Sequence, residues 1–298
     1  MAKGPLCVLG CYILWGLLPI FWKQLAAVDS LYVLGSRILW AVVFTVVLLA
    51  LRRGGFAGAR AVFRDRREWL RLTLSGCVIC VNWGTFIWAV NNGHMLDSSL
   101  AYYMNPILAI LIGTLVFRER LTRMQWLAVA AAFTGIVIAI LRYRKFPWIA
   151  LVIGGSFAVY GALKKTVRTD ALTSLFVETL MLSPVFLVLL VWMELAGRGA
   201  VHVLHGWQWL LLPVAGVLTT VPLILFSSGM KTTSMTVSGI LMFVNPTLQL
   251  MISVWLYHEE FTTTHAILFA FVWGGLALYL VSGRIERGKH KKEEHPCA

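Results

Sequence analysis

The sequence predicts an all-α membrane protein with ten transmembrane helices arranged as two inverted five-helix repeats. Three observations lead to this fold class. The 298-residue chain is 59% hydrophobic and 13% charged, with a mean hydropathy of +0.79, whereas a soluble domain is about 25% charged. Its apolar residues fall into windows of about 20, the length that crosses a bilayer as a helix. A segment of the first half also recurs in the second half.

Ten windows have the length and composition of membrane-spanning helices. Most of them are joined by short connections, and the Arg-rich connection 52–69 is the longest. The windows are 4–22, 31–51, 70–91, 98–117, 124–141, 147–164, 172–194, 207–228, 235–257 and 265–283.

The repeat is clearest in two segments that align without a gap at a spacing of 140 residues. The segment YYMNPILAILIGTLVFRERLT begins at Tyr102, and MFVNPTLQLMISVWLYHEEFT begins at Met242. The alignment predicts a first unit at 1–141 and a second at 147–283, followed by a disordered tail at 284–298. Because five is odd, the second unit must enter the membrane from the opposite side, which makes an inverted repeat.

Positive charge assigns a side to each connection. With the N-terminus inside, 20 Lys and Arg residues fall in inner segments and five in outer ones, which agrees with the positive-inside rule. The inner set is Lys3, Arg52, Arg53, Arg60, Arg64, Arg66, Arg67, Arg71, Arg118, Arg120, Arg123, Lys164, Lys165, Arg168, Lys231, Arg284, Arg287, Lys289, Lys291 and Lys292. The outer set is Lys23, Arg142, Arg144, Lys145 and Arg198. Both termini are therefore expected in the cytoplasm, and the net charge of +13 indicates cytoplasmic loops, not nucleic-acid binding.

Motifs for catalysis and metal binding do not account for this chain. GRIERGKH, at 283–290, has part of the spacing of a phosphate-binding loop but lacks its Ser or Thr and follows no strand. Cys77 and Cys80 form a C-x-x-C inside an apolar window, where packing is the simpler explanation. We therefore expect no catalytic centre, metal or cofactor, and keep a membrane-embedded enzyme or a scaffold as the alternative.

Two charged residues within the predicted helices are the first candidate site residues. Arg37 and Glu178 each lie about six residues into a helix and occupy equivalent positions of the repeat, 141 residues apart. A charge within the bilayer costs about 3 kcal/mol, so it usually faces a partner or a wet cavity; the alternative is that both side chains reach the headgroups. Helix rise and bilayer thickness place them about 12 Å apart along the membrane normal, too far for an ordinary ion pair. Arg37 could hold an anionic or carbonyl group, and Glu178 an amine or a coupling proton.

The other candidates are proline-associated amides and polar-tipped aromatics. Asn105-Pro106 and Asn245-Pro246 fall at matching positions near the middle of two helices, where breaks often mark a binding site; simple packing kinks are the alternative. The remaining candidates share an aromatic ring or an amide inside a predicted helix and are Trp15, Asn82, Trp83, Trp88, Tyr102 and Tyr160. Together they predict a central cavity that is aromatic and hydrogen-bonding, with little net charge.

Several longer segments are characteristic in combination: YILWGLLPIFWK, SRILW, NWGTFIWAVNNGHMLDSSLAYYMNPILAILIGTLVFRERLTRMQWLAV, SFAVYGALKK, VETLMLSP, TTVPLILFSSG and NPTLQL. Together they resemble the RarD family, a part of the EamA branch of the drug/metabolite transporter superfamily, over about residues 4–283. The resemblance implies ten helices in two inverted repeats, a multi-pass protein of the bacterial inner membrane, and secondary transport.

The expected function is secondary active export of a small organic metabolite or drug-like molecule, such as an amino acid or a chloramphenicol-like compound. The family carries the label "chloramphenicol-sensitive protein", which is a name more than a known substrate. The expected partners are the lipid bilayer, the small-molecule substrate and protons as the coupling ion, in a monomer or homodimer without nucleic acid. A facilitative uniporter or pore is the alternative within transport.

Overall fold

The chain folds into a bundle of helices. The computed structural model describes residues 3–91, 95–143, 148–256, 258, 263, 266–267, 270–271 and 273–275, and these contain no β-strand. The helices are α1 (Lys3–Trp22), α2 (Ser30–Leu51), α3 (Ala57–Arg64), α4 (Arg66–Asn91), α5 (Met95–Leu115), α6 (Arg123–Tyr143), α7 (Trp148–Thr166), α8 (Ala171–Leu195), α9 (Leu211–Met230), α10 (Met235–Leu241) and α11 (Val244–Met251). A π-helical turn, Ile252–Leu256, follows α11.

The first nine predicted windows each contain an observed helix. Five helical stretches within the described residues are long and apolar enough to cross a membrane, and shorter apolar helices accompany them. The short helix α3, inside the Arg-rich connection, was not predicted. Most of the tenth window, the tail 284–298 and Glu259 lie outside the described residues.

Matching aspartates begin α2 and α8, the second helices of the two units. The Asp29 carboxylate accepts a hydrogen bond from the Leu31 N–H at 2.9 Å, and the Asp170 carboxylate accepts one from the Thr173 N–H at 3.2 Å. Each satisfies a backbone donor that the first helical turn leaves free. Equivalent residues thus set the same helix start in both units.

Two ion pairs show that these equivalent helices run antiparallel. Arg198, which follows α8, lies 2.6 Å from Asp29 at the start of α2. Arg52, which follows α2, lies 2.7 Å from Asp170 at the start of α8. Each end of α2 therefore meets the opposite end of α8, so the two units have opposite orientations.

The helix packing has the same two-fold relation. The contact of α1 with α9 corresponds to that of α7 with α4. The contact of α5 with α7 corresponds to that of α10 and α11 with α1. Glycines allow the closest approaches: a Cβ on Gly239 would lie 2.7 Å from the Pro106 carbonyl oxygen, and one on Gly16 would lie 2.8 Å from the Leu248 Cβ. Small residues at such crossings let membrane helices pack backbone to backbone.

The prediction of matching helix breaks is only half right. α5 runs without interruption through Pro106, because a proline removes one intrahelical hydrogen bond and need not end the helix. In the second unit, α10 ends at Leu241 and α11 begins at Val244. There the Phe243 N–H bonds the Ile240 carbonyl at 3.2 Å, a tighter i to i−3 pattern than that of an α-helix.

A second equivalence lies at the charged ends of the repeated segments. Arg118 and His258, 140 residues apart, both have left-handed backbone conformations, with φ of 54° and 53°. Such φ values are uncommon outside glycine. After Arg118 the chain turns so that the Glu119 carboxylate reaches the start of α10.

Candidate functional site

A cavity of about 460 Å³ lies between the two units. It is lined by the C-terminal halves of α1 and α4, the α1–α2 connection, the first two turns of α2 and the middle of α5, α7 and α11. It therefore reaches from the centre of the bundle to the end at which α1 stops and α2 begins. Its volume falls within the range of pockets for small organic molecules. Its polar and aromatic lining residues are Trp15, Trp22, Ser30, Arg37, Asn82, Trp83, Phe86, Tyr102, Asn105, Phe157, Asn245 and Gln249.

Arg37 supplies the charge of the cavity. Its guanidinium carbon lies 4.5 Å from the centre of the Trp83 ring and 5.2 Å from that of Trp22, so the cation is held against two indole faces. Its Nε is inaccessible to solvent and has no hydrogen-bond partner among the described residues. Among the described side chains that line the cavity, Arg37 alone is charged. The predicted cavity with little net charge therefore has a single positive charge among its described lining side chains.

Amides form a hydrogen-bonding wall around the middle of the cavity. The Asn82 amide donates to the Ile153 carbonyl at 2.6 Å and to Ser156 Oγ at 3.1 Å, which ties α4 to α7. The Gln249 amide donates to Asn245 Oδ1 at 2.7 Å. Asn105 is 3% exposed, and its Oδ1 is buried without a partner among the described residues. A buried acceptor without a partner costs free energy, so a donor that reached Asn105 Oδ1 would lower that cost.

Aromatic rings close the end of the cavity that lies at the centre of the bundle. Trp15 and Phe157 lie in its lining, with ring centres 5.5 Å apart. Phe226 packs beneath both, at 5.8 Å from Trp15 and 5.4 Å from Phe157. Tyr160 stacks on Phe226 at 5.9 Å. We call Trp15, Phe157, Phe226 and Tyr160 the aromatic floor.

A buried ion pair lies beyond the aromatic floor. Lys164 Nζ donates to Glu178 Oε1 and to Ser174 Oγ, both at 2.6 Å, and the Tyr160 hydroxyl donates to Glu178 Oε2 at 3.4 Å. The Lys164 and Glu178 side chains are 0% and 2% exposed. Water is therefore excluded from this pair, and α7 is tied to α8.

Further polar contacts join the helix ends on the same side as the ion pair. The Glu119 carboxylate accepts from the backbone N–H groups of Met235 and Thr236 at 2.7 and 2.9 Å, which caps α10 from the other unit. Lys165 Nζ donates to the Thr233 carbonyl at 2.6 Å, and Lys231 Nζ donates to the Thr169 carbonyl. We call the contacts of Glu119, Lys165 and Lys231 the closed end of the bundle.

The structure brings most of the sequence-predicted residues to the cavity. Seven of the ten line it: Trp15, Arg37, Asn82, Trp83, Tyr102, Asn105 and Asn245. The other three do not. Trp88 packs against Trp148 with ring centres 5.6 Å apart, Tyr160 belongs to the aromatic floor, and Glu178 is paired with Lys164. Arg37 and Glu178 therefore have different neighbours despite their equivalent positions.

Sequence reasoning missed two important residues. Lys164 was counted as a charge of an inner loop, because it lies at the end of an apolar window, but it is fully buried. Its partners Ser174 and Glu178 lie on the next helix, so local periodicity gives no signal for the contact. Gln249 lies four residues after Asn245, and this helical spacing could have predicted their hydrogen bond.

The described part of the chain contains no group of three or more His, Cys, Asp or Glu side chains that could hold a metal ion. Cys77 is exposed and Cys80 half-buried, and neither is in a disulfide.

Comparisons with known proteins agree with the fold. Residues 2–141 and 146–281 each match the EamA-like transporter family. An uncharacterized transporter of Vibrio cholerae is 38% identical over 282 residues, which cover 94% of this chain and 93% of the relative. Protein RarD of Escherichia coli K12 is 34% identical over 281 residues, which cover 94% of each chain. A solved crystal structure with 19% identity has a TM-score of 0.71, covers 94% of this chain and 98% of its own, and supports the fold alone.

The fold and these matches define a multi-pass membrane transporter of the drug/metabolite type. The chain belongs to the EamA-like transporter family, and within it to the RarD family.

Proposed function

We propose that this protein is a secondary active transporter that exports a small organic molecule through the cavity around Arg37. The observation that carries the proposal is that two inverted units enclose a cavity that reaches one end of the bundle. In transporters of this kind, substrate sites lie near the bilayer midplane at the interface between repeats. The seven predicted residues that line the cavity are the proposed binding residues.

Alternating access follows from the broken symmetry of the two units. Arg37 and Glu178 occupy equivalent positions of the repeat, but Arg37 faces a cavity and Glu178 is packed against Lys164. In the proposed cycle the units exchange these arrangements. The cavity around Arg37 collapses, the closed end separates, and Glu178 and Tyr160 become accessible. Tyr160 and Glu178, which do not line the cavity, would thus act in the opposite state of the cycle. Trp88, the third predicted residue outside the lining, would have a packing role.

The proposed orientation places the closed end in the cytoplasm. It rests on the distribution of Lys and Arg residues, because Arg52, Lys165 and Lys231 all lie at this end. The cavity then reaches the outer end of the bundle. The family membership supports the rest of the proposal. The protein would lie in the inner bacterial membrane as a monomer or homodimer, and it would move its substrate outward with protons as the coupling ion.

Flux measurements in proteoliposomes separate the proposal from its alternatives. The labelled probes are chloramphenicol, a set of L-amino acids and a set of small organic acids, each tested with and without an imposed pH gradient. We expect at least one probe to accumulate above its equilibrium level and to be released by a protonophore. Equilibration without accumulation would indicate a uniporter or pore, and protein-independent flux of every probe would favour an enzyme or a scaffold.

Arg53→Gln is the matched control, because Arg53 is an exposed arginine outside the cavity. It should transport like the wild type, whereas Arg37→Gln should not.

A further inference from the structure

We propose that the cavity selects small organic monoanions: a carboxylate binds Arg37, and an aromatic or apolar body packs against Trp15 and Phe157. This inference rests on the proposed function, because it names the substrate class of the same site. It excludes zwitterionic amino acids and cations as preferred ligands.

The charge balance of the cavity is the first argument. Arg37 is half-buried on the cavity wall, and the described lining residues include no carboxylate. A charge that is partly withdrawn from water and lacks a counter-ion is costly, and an anionic ligand would reduce that cost. The planar guanidinium is suited to a carboxylate because it can donate two parallel hydrogen bonds.

The geometry of Arg37 is the second argument. Trp83 and Trp22 each approach the guanidinium carbon, at 4.5 and 5.2 Å. Indole rings carry no oxygen acceptor, so neither contact supplies the guanidinium with a hydrogen-bonded anion. Nε is without a partner among the described residues. Arg37 is thus held in position but not neutralised.

The remaining lining sets the other half of the ligand. Trp15 and Phe157 offer an aromatic surface at the inner end of the cavity. Asn105 lines the cavity, and its Oδ1, which is buried without a partner among the described residues, would gain from a neutral hydroxyl or amide donor that reaches it. A cationic ammonium would share the cavity with Arg37 at close range, and like charges repel strongly in a low-dielectric space.

Four ligands with one aromatic body test the charge requirement. They are 4-hydroxyphenylacetate (anion), 4-hydroxyphenylacetamide (neutral), tyramine (cation) and tyrosine (zwitterion), titrated calorimetrically at pH 7.5 into the purified full-length protein in detergent. We expect the anion to bind at least about 10-fold more tightly than each of the others, the usual worth of a charge-assisted hydrogen bond.

Variants of Arg37 assign this preference to its side chain. Arg37→Gln should lower affinity for the anion to that for the amide, and Arg37→Lys should retain part of the preference, because lysine keeps the charge but lacks the fork. Arg53→Gln should bind like the wild type. Should Arg37→Gln fail to fold, Arg37→Lys with the acid and amide pair still decides the question.

Equal wild-type affinities for acid and amide, no measurable binding of the acid at millimolar concentration, or an unchanged preference in the Arg37 variants would overturn the inference. Flux assays with the same ligands distinguish this outcome from failure of the proposed function. Accumulation of another probe without an anion preference removes only the substrate class. Arg37-dependent binding of the anion without flux removes only transport.

Discussion

Lys164 Nζ lies 2.6 Å from Glu178 Oε1, in a pair that is almost completely buried between α7 and α8. At the position equivalent to Glu178 in the other unit, Arg37 lines the cavity instead. The same two-fold relation therefore gives one end of the bundle a sealed salt bridge and the other end a cationic cavity.

The first prediction concerns the stability that depends on this pair. Lys164→Met leaves the Glu178 carboxylate buried without its cation and should lower the free energy of unfolding by about 3–5 kcal/mol. The double variant Lys164→Met/Glu178→Gln should recover much of this loss, because the uncompensated charge is gone. Chemical unfolding in detergent measures both. Arg52→Gln, which removes the exposed ion pair with Asp170, is the control and should lower the free energy of unfolding by less than about 1 kcal/mol. Equal losses for the buried and exposed pairs would contradict the assignment.

The second prediction concerns Asn105 and Asn245. Asn105→Ala and Asn245→Ala should each reduce transport more than they reduce folded yield, since both residues line the cavity. The effect at Asn245 should be partly reproduced by Gln249→Ala, because Gln249 donates to Asn245 Oδ1. Initial transport rates, divided by the amount of monodisperse protein, give the comparison. Wild-type rates in both asparagine variants would make these residues packing elements only.

The third prediction concerns the closed end. Glu119→Ala removes the cap that the first unit provides to α10 and should favour separation of the helices there. We expect a cysteine at Ser238, which is 3% exposed, to react faster with a thiol reagent in the Glu119→Ala background. A cysteine at Val201, which is 56% exposed, serves as the control and should react at one rate in both backgrounds. An unchanged rate at position 238 would show that Glu119 does not hold this end shut.

The fourth prediction is a pH dependence at the start of α8. Burial tends to raise the pKa of Asp170, but the hydrogen bonds from Thr173 and the charge of Arg52 outweigh it and leave the pKa below its ordinary value. A depressed folded-state pKa stabilises the protein above the unfolded value, about 3.9 for aspartate, and this contribution is lost as the pH falls through the folded value. Asp170→Asn should keep the cap and lose less stability than the wild type when the pH falls from 5 to about 3.

Thermal unfolding across that pH range measures the effect. Arg52→Gln should also reduce the loss of stability in acid, because the Arg52 charge is one of the causes of the low pKa of Asp170. An acid response in Asp170→Asn as large as that of the wild type would assign the effect to other carboxylates.

The fifth prediction concerns orientation. In a variant without its five native cysteines, a cysteine at Arg60 should react with an impermeant reagent only from the cytoplasmic side. A cysteine at Val201 should react only from outside. The reason is the excess of Lys and Arg in the segments assigned to the inner face. Labelling of whole cells and of inverted vesicles provides the measurement. The reverse pattern would turn the molecule over and place the Arg37 cavity toward the cytoplasm.

Much of the architecture could be predicted because it depends on local or repeated sequence. Windows of apolar residues have to span a bilayer as helices, since no other conformation there satisfies the backbone within one segment. The spacing of 140 residues revealed two units, and an odd number of helices in each required their inversion. The aspartates at 29 and 170 and the prolines at 106 and 246 could be read from the chain, although the effects of the two prolines on their helices differ.

What the sequence by itself determined is therefore a membrane-embedded, two-unit helical transporter and most of the residues around its cavity. Only the tertiary structure decided that Lys164 leaves the loop charges to pair with Glu178, and that Arg37 is held by Trp22 and Trp83. The physical reason is that these contacts join different helices, and a repeat constrains the positions of equivalent residues without fixing their neighbours. When one end of a two-fold arrangement is packed and the other contains a cavity, equivalent residues have different surroundings, and no alignment of the two halves contains that information.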